Sequence, residues 1–174
     1  MKKIPLSVLA FCIAFVACDE GLDVNLNAPY STEVTLEAAL VTDTGEPISI
    51  ETDAINTAEA LEDYSDKMDK LESAKLKSVT VTILSPATQT FSFVNGFEIF
   101  ITGQGMDEQK VAEKTEIDQT ATSFDLDIED VELVEVIQSG EFSGRAVVVT
   151  DELIQEDVQL KIDYQFNVKA AVID

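Results

Sequence analysis

The sequence predicts a mainly β protein, an antiparallel immunoglobulin-like or fibronectin-like β-sandwich carrying one inserted α-helix and room for a second, short one. Three observations lead there. The first is the C-terminal run "DVQLKIDYQFNVKAAVID", in which Val158, Leu160, Ile162, Tyr164, Phe166, Val168, Ala170 and Val172 alternate with Gln159, Lys161, Asp163, Gln165, Asn167 and Lys169. Successive strand residues point to opposite faces, so this pattern is one long strand with one buried and one wet face. Antiparallel sheets read this way, whereas parallel sheets are apolar on both faces. The second is that shorter β-rich runs recur upstream between turn signals. The third is that 45% of the residues are hydrophobic, with no repeat or low-complexity stretch, so the chain has enough patterned apolar surface to fold despite its charge.

Taken in order, the upstream runs begin with Leu22, Val24 and Leu26, then Val34, Leu36, Ala38 and Leu40. Ile48 and Ile50 follow "TDTGEP", where Gly45 can adopt the left-handed conformation of a turn. "NTAEALEDYSDKMDKLES" is the expected helix. Asn56 and Glu59 make an N-cap and its capping-box partner, and Leu61, Tyr64, Met68 and Leu71 form a stripe at helical spacing. The stripe reads as core, laid on the sandwich. Lys67, Lys70, Lys75 and Lys77 cluster nearby and read as charge pairing, with Asp63–Lys67 and Asp66–Lys70 at i,i+4. "KLKSVTVTIL" supplies Val79, Val81 and Ile83, and "GFEIFITG" and "GRAVVVT" are further strands. Asn95-Gly96 carries a two-residue hairpin signal, yet that turn would put Glu98 opposite Phe93, so a looser corner competes with it. A shorter helix fits "DVELVEVIQSG" with Gly140 as its cap, although its β-branched residues count against it.

The N-terminus has a different logic. Lys2 and Lys3 precede an uncharged run of 14 residues, Ile4 to Ala17. A bilayer core needs about 20 apolar residues, so this is a secretory signal peptide and not a permanent span. Ordinary cleavage wants small residues at −3 and −1, but Phe15 stands three before Cys18. "FVAC" resembles a lipobox, with Cys18 the lipidated residue. The organisation is then residues 1–17 as lipoprotein signal, 18–22 as lipidated tether and 23–174 as one domain. Asp19, Glu20 and Asp23 occupy the positions of a sorting signal. Acids there resemble the surface-export signal of Bacteroidota, while an Asp directly after the cysteine resembles the inner-membrane retention signal of enteric bacteria. Cys12 and Cys18 are the only cysteines, so a chain beginning at Cys18 has no thiol pair for a disulfide.

Charge and missing residue types exclude whole classes of function. The chain has 34 acids, 11 bases and a formal charge of −23; without residues 1–17 it holds nine bases and reaches −25. That field opposes nucleic acid, which needs a basic footprint. There is no histidine and no glycine-rich phosphate loop, which removes Ser-His-Asp triads, histidine-ligated zinc and P-loop chemistry. Carboxylates remain, and with 34 of them some pair meets a glycosidase spacing by chance. The chain is read as a non-enzyme. The candidate site is "FDLDIED": Asp125 and Asp127 on one strand face, with Glu129 and Asp130 at the bend after it, an oxygen-rich group of the kind that holds Ca²⁺. A solvated strand face opposite Phe124, Leu126 and Ile128 explains the same residues.

The succession "LEDYSDKMDKLESAKLKSVTVTIL", "FSFVNGFEIFITGQGMDEQKVAEK" and "EFSGRAVVVTDELIQEDVQLKIDYQFNVKAAV" resembles uncharacterised lipoproteins of Bacteroidota. The resemblance implies a lipidated β-sandwich displayed at the cell surface, and brings no catalytic residues. The functional expectation is a lipid-anchored, non-catalytic binding or assembly module of the cell envelope, on the outer membrane. Its partners would be the membrane, through lipid on Cys18, and a protein or glycan. A Ca²⁺-dependent ligand or glycan binder and a carboxylate-dependent enzyme are the alternatives.

Overall fold

The structure is a computed structural model and describes residues 22–41, 44–52, 54–57 and 70–172. Among these residues are ten strands: β1 (Leu22–Leu36), β2 (Pro47–Glu51), β3 (Ile55–Asn56), β4 (Leu71–Ser85), β5 (Val94–Gly103), β6 (Gln109–Lys114), β7 (Ser123–Asp125), β8 (Asp127–Ile128), β9 (Glu141–Thr150) and β10 (Val158–Val172). One short helix, α1 (Val134–Gln138), precedes β9. The strands form two sheets, β1-β10-β4-β7 and β2-β9-β5-β6-β8, with β3 added beside β9. Every pairing is antiparallel.

The order in which the chain visits those sheets corrects the expected immunoglobulin-like connectivity. In that fold the first two strands share a sheet; here β1 and β2 lie in opposite sheets. With the two-residue strands β3 and β8 set aside, the first strand pairs with the last, β1 with β10. Moving inward from both ends, β2 then pairs with β9, β4 with β7, and β5 with β6. The chain is one long double-stranded ribbon, rolled until β10 meets β4 and β9 meets β5. That strand order is a jelly roll.

The rolled ribbon buries one face of each sheet against the other. In β10, Val158, Leu160, Ile162, Tyr164, Phe166, Val168 and Ala170 all point into the core, as their alternation predicts. Opposite them stand Phe97, Ile99 and Ile101 of β5 and Phe142, Ala146 and Val148 of β9. Each fully buried side chain of this size contributes about 1.5–3 kcal/mol. Aromatic rings gather at the two ends. Phe91, Phe93, Phe97 and Phe124 meet at one, with Phe91 and Phe124 edge to face at 4.6 Å. Tyr30, Phe142, Tyr164 and Phe166 meet at the other, at 6.0–6.3 Å. Burial there pushes the Tyr164 phenol well above its ordinary pKa, so it stays neutral.

Where buried apolar residues fall at odd spacing, a period of two cannot keep both inside, and the strand inserts a bulge. Leu76 and Val79 are both buried, and the β4–β10 register skips Lys77 between them. Val94 and Phe97 are both buried, and the β5–β9 register skips Asn95. Asn95-Gly96 is therefore a bulge inside one strand, not a hairpin turn. A 3₁₀ turn at Phe91–Phe93 makes the corner in front of it.

Two other expectations shift. The apolar run does not continue as strand past Leu36: Ala38–Leu40 is a 3₁₀ turn, and Leu40 is half exposed. Of the expected helix at 56–73, Asn56 closes β3, Thr57 after it is helical, and Leu71 opens β4; residues 58–69 lie outside the described part. The second helix does form. α1 packs so tightly on β5 that a side chain at Gly103 would meet Val136 Cα at 3.1 Å and Ser139 Oγ at 2.9 Å. Gly140, at φ +91°, ends it.

Candidate functional site

The acidic segment "FDLDIED" is where the sequence concentrates candidate ligands, and the structure pulls it apart. Asp125 ends β7 in the first sheet, and Asp127 opens β8 in the second. Between them the chain crosses from sheet to sheet, pivoting on Leu126. That side chain is buried in the core, and its N–H donates to Val79 O at 2.9 Å. Two residues that would share a face on one strand thus hang from different sheets.

Three of the four carboxylates then take partners of their own. Asp125 Oδ1 accepts from Thr80 Oγ1 at 2.6 Å, across the β4–β7 pairing. Asp127 is bridged by Lys114 Nζ at 3.1 Å, across β6 and β8. Asp130 accepts from Lys75 Nζ at 2.6 Å, and this bond is the main reason the lysine's pKa is raised. Glu129 is exposed, and its backbone N–H donates to Val111 O. Among the described residues no group of three or more such side chains is placed to hold a metal ion. The arrangement stitches strands together and does not converge on a cation.

The carboxylate with the most structural consequence in this region is Glu132, which the sequence does not single out. Its Oε1 accepts from the N–H of Ala74 at 2.5 Å and of Leu133 at 3.2 Å, and its Oε2 from Ser73 Oγ at 2.7 Å. Partial burial works to raise its pKa, but these donors outweigh that and hold it below the ordinary value. It ties the segment before α1 to the first turn of β4. Nothing in "DVELVEV" marks this Glu apart from its neighbours, because its partners come from 58 residues away.

A second cluster occupies the outer face of the other sheet. Arg145, the only arginine in the chain, lies 4.3 Å above the ring of Phe100. It donates from Nε to Glu108 Oε1 at 2.7 Å and from Nη1 to Ser49 Oγ at 3.2 Å, with a second Glu108 bond from Nη2. The forked hydrogen bond holds the Glu108 carboxyl below its usual range. The readable signal was a lone arginine at an outward position of a β run, opposite an outward phenylalanine. On the first sheet, Lys161 and then Ser31 lower the Asp163 pKa. The backbone and side chain of Thr120 do the same for Asp118.

These displacements all run in one direction. A carboxyl general acid must be pushed up in pKa to carry a proton at neutral pH, and Glu108, Asp118, Glu132 and Asp163 are each pushed down. They serve as fixed anions in a scaffold. Cys18, Asp19 and Glu20 lie outside the described residues, so the processing and sorting expectations have no structural counterpart there. Asp23 falls within β1, its backbone paired with Ala171.

No protein-family model matches the chain, and no curated protein is similar to it. Among solved structures, it is similar to a chain of the semi-empty virus-like particle of a nodavirus of the giant freshwater prawn Macrobrachium rosenbergii. The identity is 12%, the TM-score 0.38, and the match covers 100% of this chain and 95% of that one. Cocksfoot mottle virus gives 12%, 0.31, and 99% and 98% coverage. Desmodium yellow mottle tymovirus gives 10%, 0.29, and 100% and 97%. The functional expectation is corrected on this finding. The chains named above come from viruses, and the lipid-anchored binding or assembly module of the outer membrane, with its membrane, protein or glycan partners, is carried no further. TM-scores this low lend the chain no role in a virus either.

Proposed function

We propose that this chain is an exported, non-enzymatic structural domain, a jelly-roll scaffold that works through its surface and not through a recessed reactive site. The observation that carries the reading is the fate of its carboxylates. In a chain with 34 acids, three of the four in the candidate site, Asp125, Asp127 and Asp130, go singly to Thr80, Lys114 and Lys75, on strands of both sheets. Each bond joins two elements that the rolled ribbon must keep together. The finer fold reading, a jelly roll in place of the immunoglobulin-like type, is supported by β1 and β2 standing in opposite sheets.

Export rests on the N-terminal sequence: Lys2 and Lys3, the apolar run to Ala17, and the small residue before Cys18. Intact-mass measurement on fractionated cells tests it. A mature chain in the cell envelope that begins at Cys18 supports the reading. A cytoplasmic chain that keeps residues 1–17 overturns it.

A further inference from the structure

The two ends of the sandwich differ. Leu36 pairs with Val158, Ser85 with Gln159 and Val94 with Thr150, and Ile83 N–H donates to Thr122 O. These contacts bring four loops to one end, with described residues 37–41 and 44–46, 86–93, 115–122 and 151–157. None of the four contains a lysine or arginine. Glu37, Glu46, Glu116, Asp151, Glu152 and Glu156 are all exposed there. The cations nearest in sequence, Lys114 and Lys161, are each held by a carboxylate, Asp127 and Asp163.

The same end carries the large apolar side chains that are exposed among the described residues: Leu40 at 50%, Leu84 at 41% and Leu153 at 52%. Single exposed leucines are ordinary. Three brought to one end from three separate parts of the chain, with the other large apolar side chains among the described residues buried or half-buried, mark a surface that meets something. Leu40 sits in the turn after β1, Leu84 at the end of β4, and Leu153 in the loop between β9 and β10.

We propose that this end is a docking surface for a basic, amphipathic segment of another protein, whose apolar side chains cover the leucines while its lysines or arginines meet the acids. The charge selects that occupant. A second copy would present the same acids, and anionic headgroups would be repelled. Leucines without an exposed aromatic offer a sugar no stacking plane.

The test titrates the purified full chain into fluorescein-labelled lysine–leucine peptide, with lysine–serine and glutamate–leucine peptides as controls. Anisotropy gives the affinity, and hydrogen exchange maps the site. The lysine–leucine peptide should bind most tightly, weaken with added salt, and protect the four loops. Leu40→Ser with Leu84→Ser and Leu153→Ser should weaken it by about tenfold or more, the loss of buried leucine area. Glu37→Gln with Glu152→Gln and Glu156→Gln should also weaken it at an unchanged melting temperature, which guards against a leucine variant that folds badly. Glu129→Gln with Glu135→Gln and Glu141→Gln, at the far end, should bind as the unaltered chain does. The proposal is overturned by no binding, by equal binding of the lysine–serine peptide, or by equal loss in the far-end variant. Protection outside the four loops, or recruitment of the chain to anionic phosphatidylglycerol vesicles through the same leucines, overturns it too.

Discussion

β10 and the β7–β8 segment carry the same kind of pattern and meet opposite fates. Both alternate apolar with polar residues. β10 does so from Val158 to Val172, between β1 on one side and β4 on the other. The β7–β8 segment alternates from Phe124 to Ile128 and is split by Leu126 between two sheets. A strand with neighbours along both edges is held in one plane by two ladders of hydrogen bonds. A three-residue strand at a sheet edge has one short ladder, which is easily left for a pairing in the opposite sheet. Alternation reports which residues turn inward and is silent on which sheet they leave from.

The largest effect expected from this contrast is in β10. Phe166→Ala should cost about 3–5 kcal/mol in denaturant melts, because its ring packs against Phe142 and Tyr164. Gln165→Ala should stay within about 0.5 kcal/mol. The Gln165 side chain is half-buried on the other face, not fully in water, but its covered Nε2 makes no hydrogen bond that the change would break. Equal losses at the two positions would mean that β10 is buried on both sides.

Leu126→Ala comes next, at about 2–5 kcal/mol, the penalty of a core residue within a run of acids. If the melts put it below about 0.5 kcal/mol, the crossing between sheets does not turn on this side chain.

Glu132→Ala follows. It leaves the Ala74 N–H without its acceptor and should cost about 1–3 kcal/mol at neutral pH. The glutamate's folded pKa is below the unfolded value of 4.5, so its charge-dependent stabilisation is complete above that pH. It is lost as pH falls through the lowered folded value. Melts of both chains across pH 3 to 7, an interval of roughly that width around an ordinary carboxylate, should therefore converge toward the acid end. A difference that widens there would reverse the sign of the argument.

The smallest effects belong to the carboxylates that first drew attention. Asp125→Asn and Asp127→Asn, each an exposed pair, should change stability by less than about 1 kcal/mol. Added CaCl₂ should raise the melting temperature no more than NaCl at matched ionic strength, since screening a charge of −23 stabilises the chain without a site. A saturable, calcium-specific rise abolished by those two substitutions would restore the cation site.

The residues show why some of this was legible in the sequence and some was not. The length and facing of β10 follow from local alternation, and its span matches the observed strand end to end. α1 and its glycine stop were also local. The bulges at Lys77 and Asn95 are visible in hindsight as odd spacings between apolar residues. Connectivity was not local. The immunoglobulin-like and jelly-roll orders use equally alternating strands, and what separates them is which strands pair, with β1 beside β10 and β2 in the opposite sheet. The candidate site failed for the same reason, since the partners of Asp125, Asp127 and Asp130 lie 45, 13 and 55 residues away.

The pairing of first strand with last also sets the order in which the protein can come into being. β1 leaves the ribosome first, yet its neighbour β10 is the last strand to be made. β10 also joins β1 to β4, so a nascent chain without residues 158–172 cannot close that sheet at all. Contacts this distant in sequence make folding slow. Until β10 has been made, that sheet stays open. Under the export proposed above, a signal at the front of the chain acts before the strand at the back locks the fold.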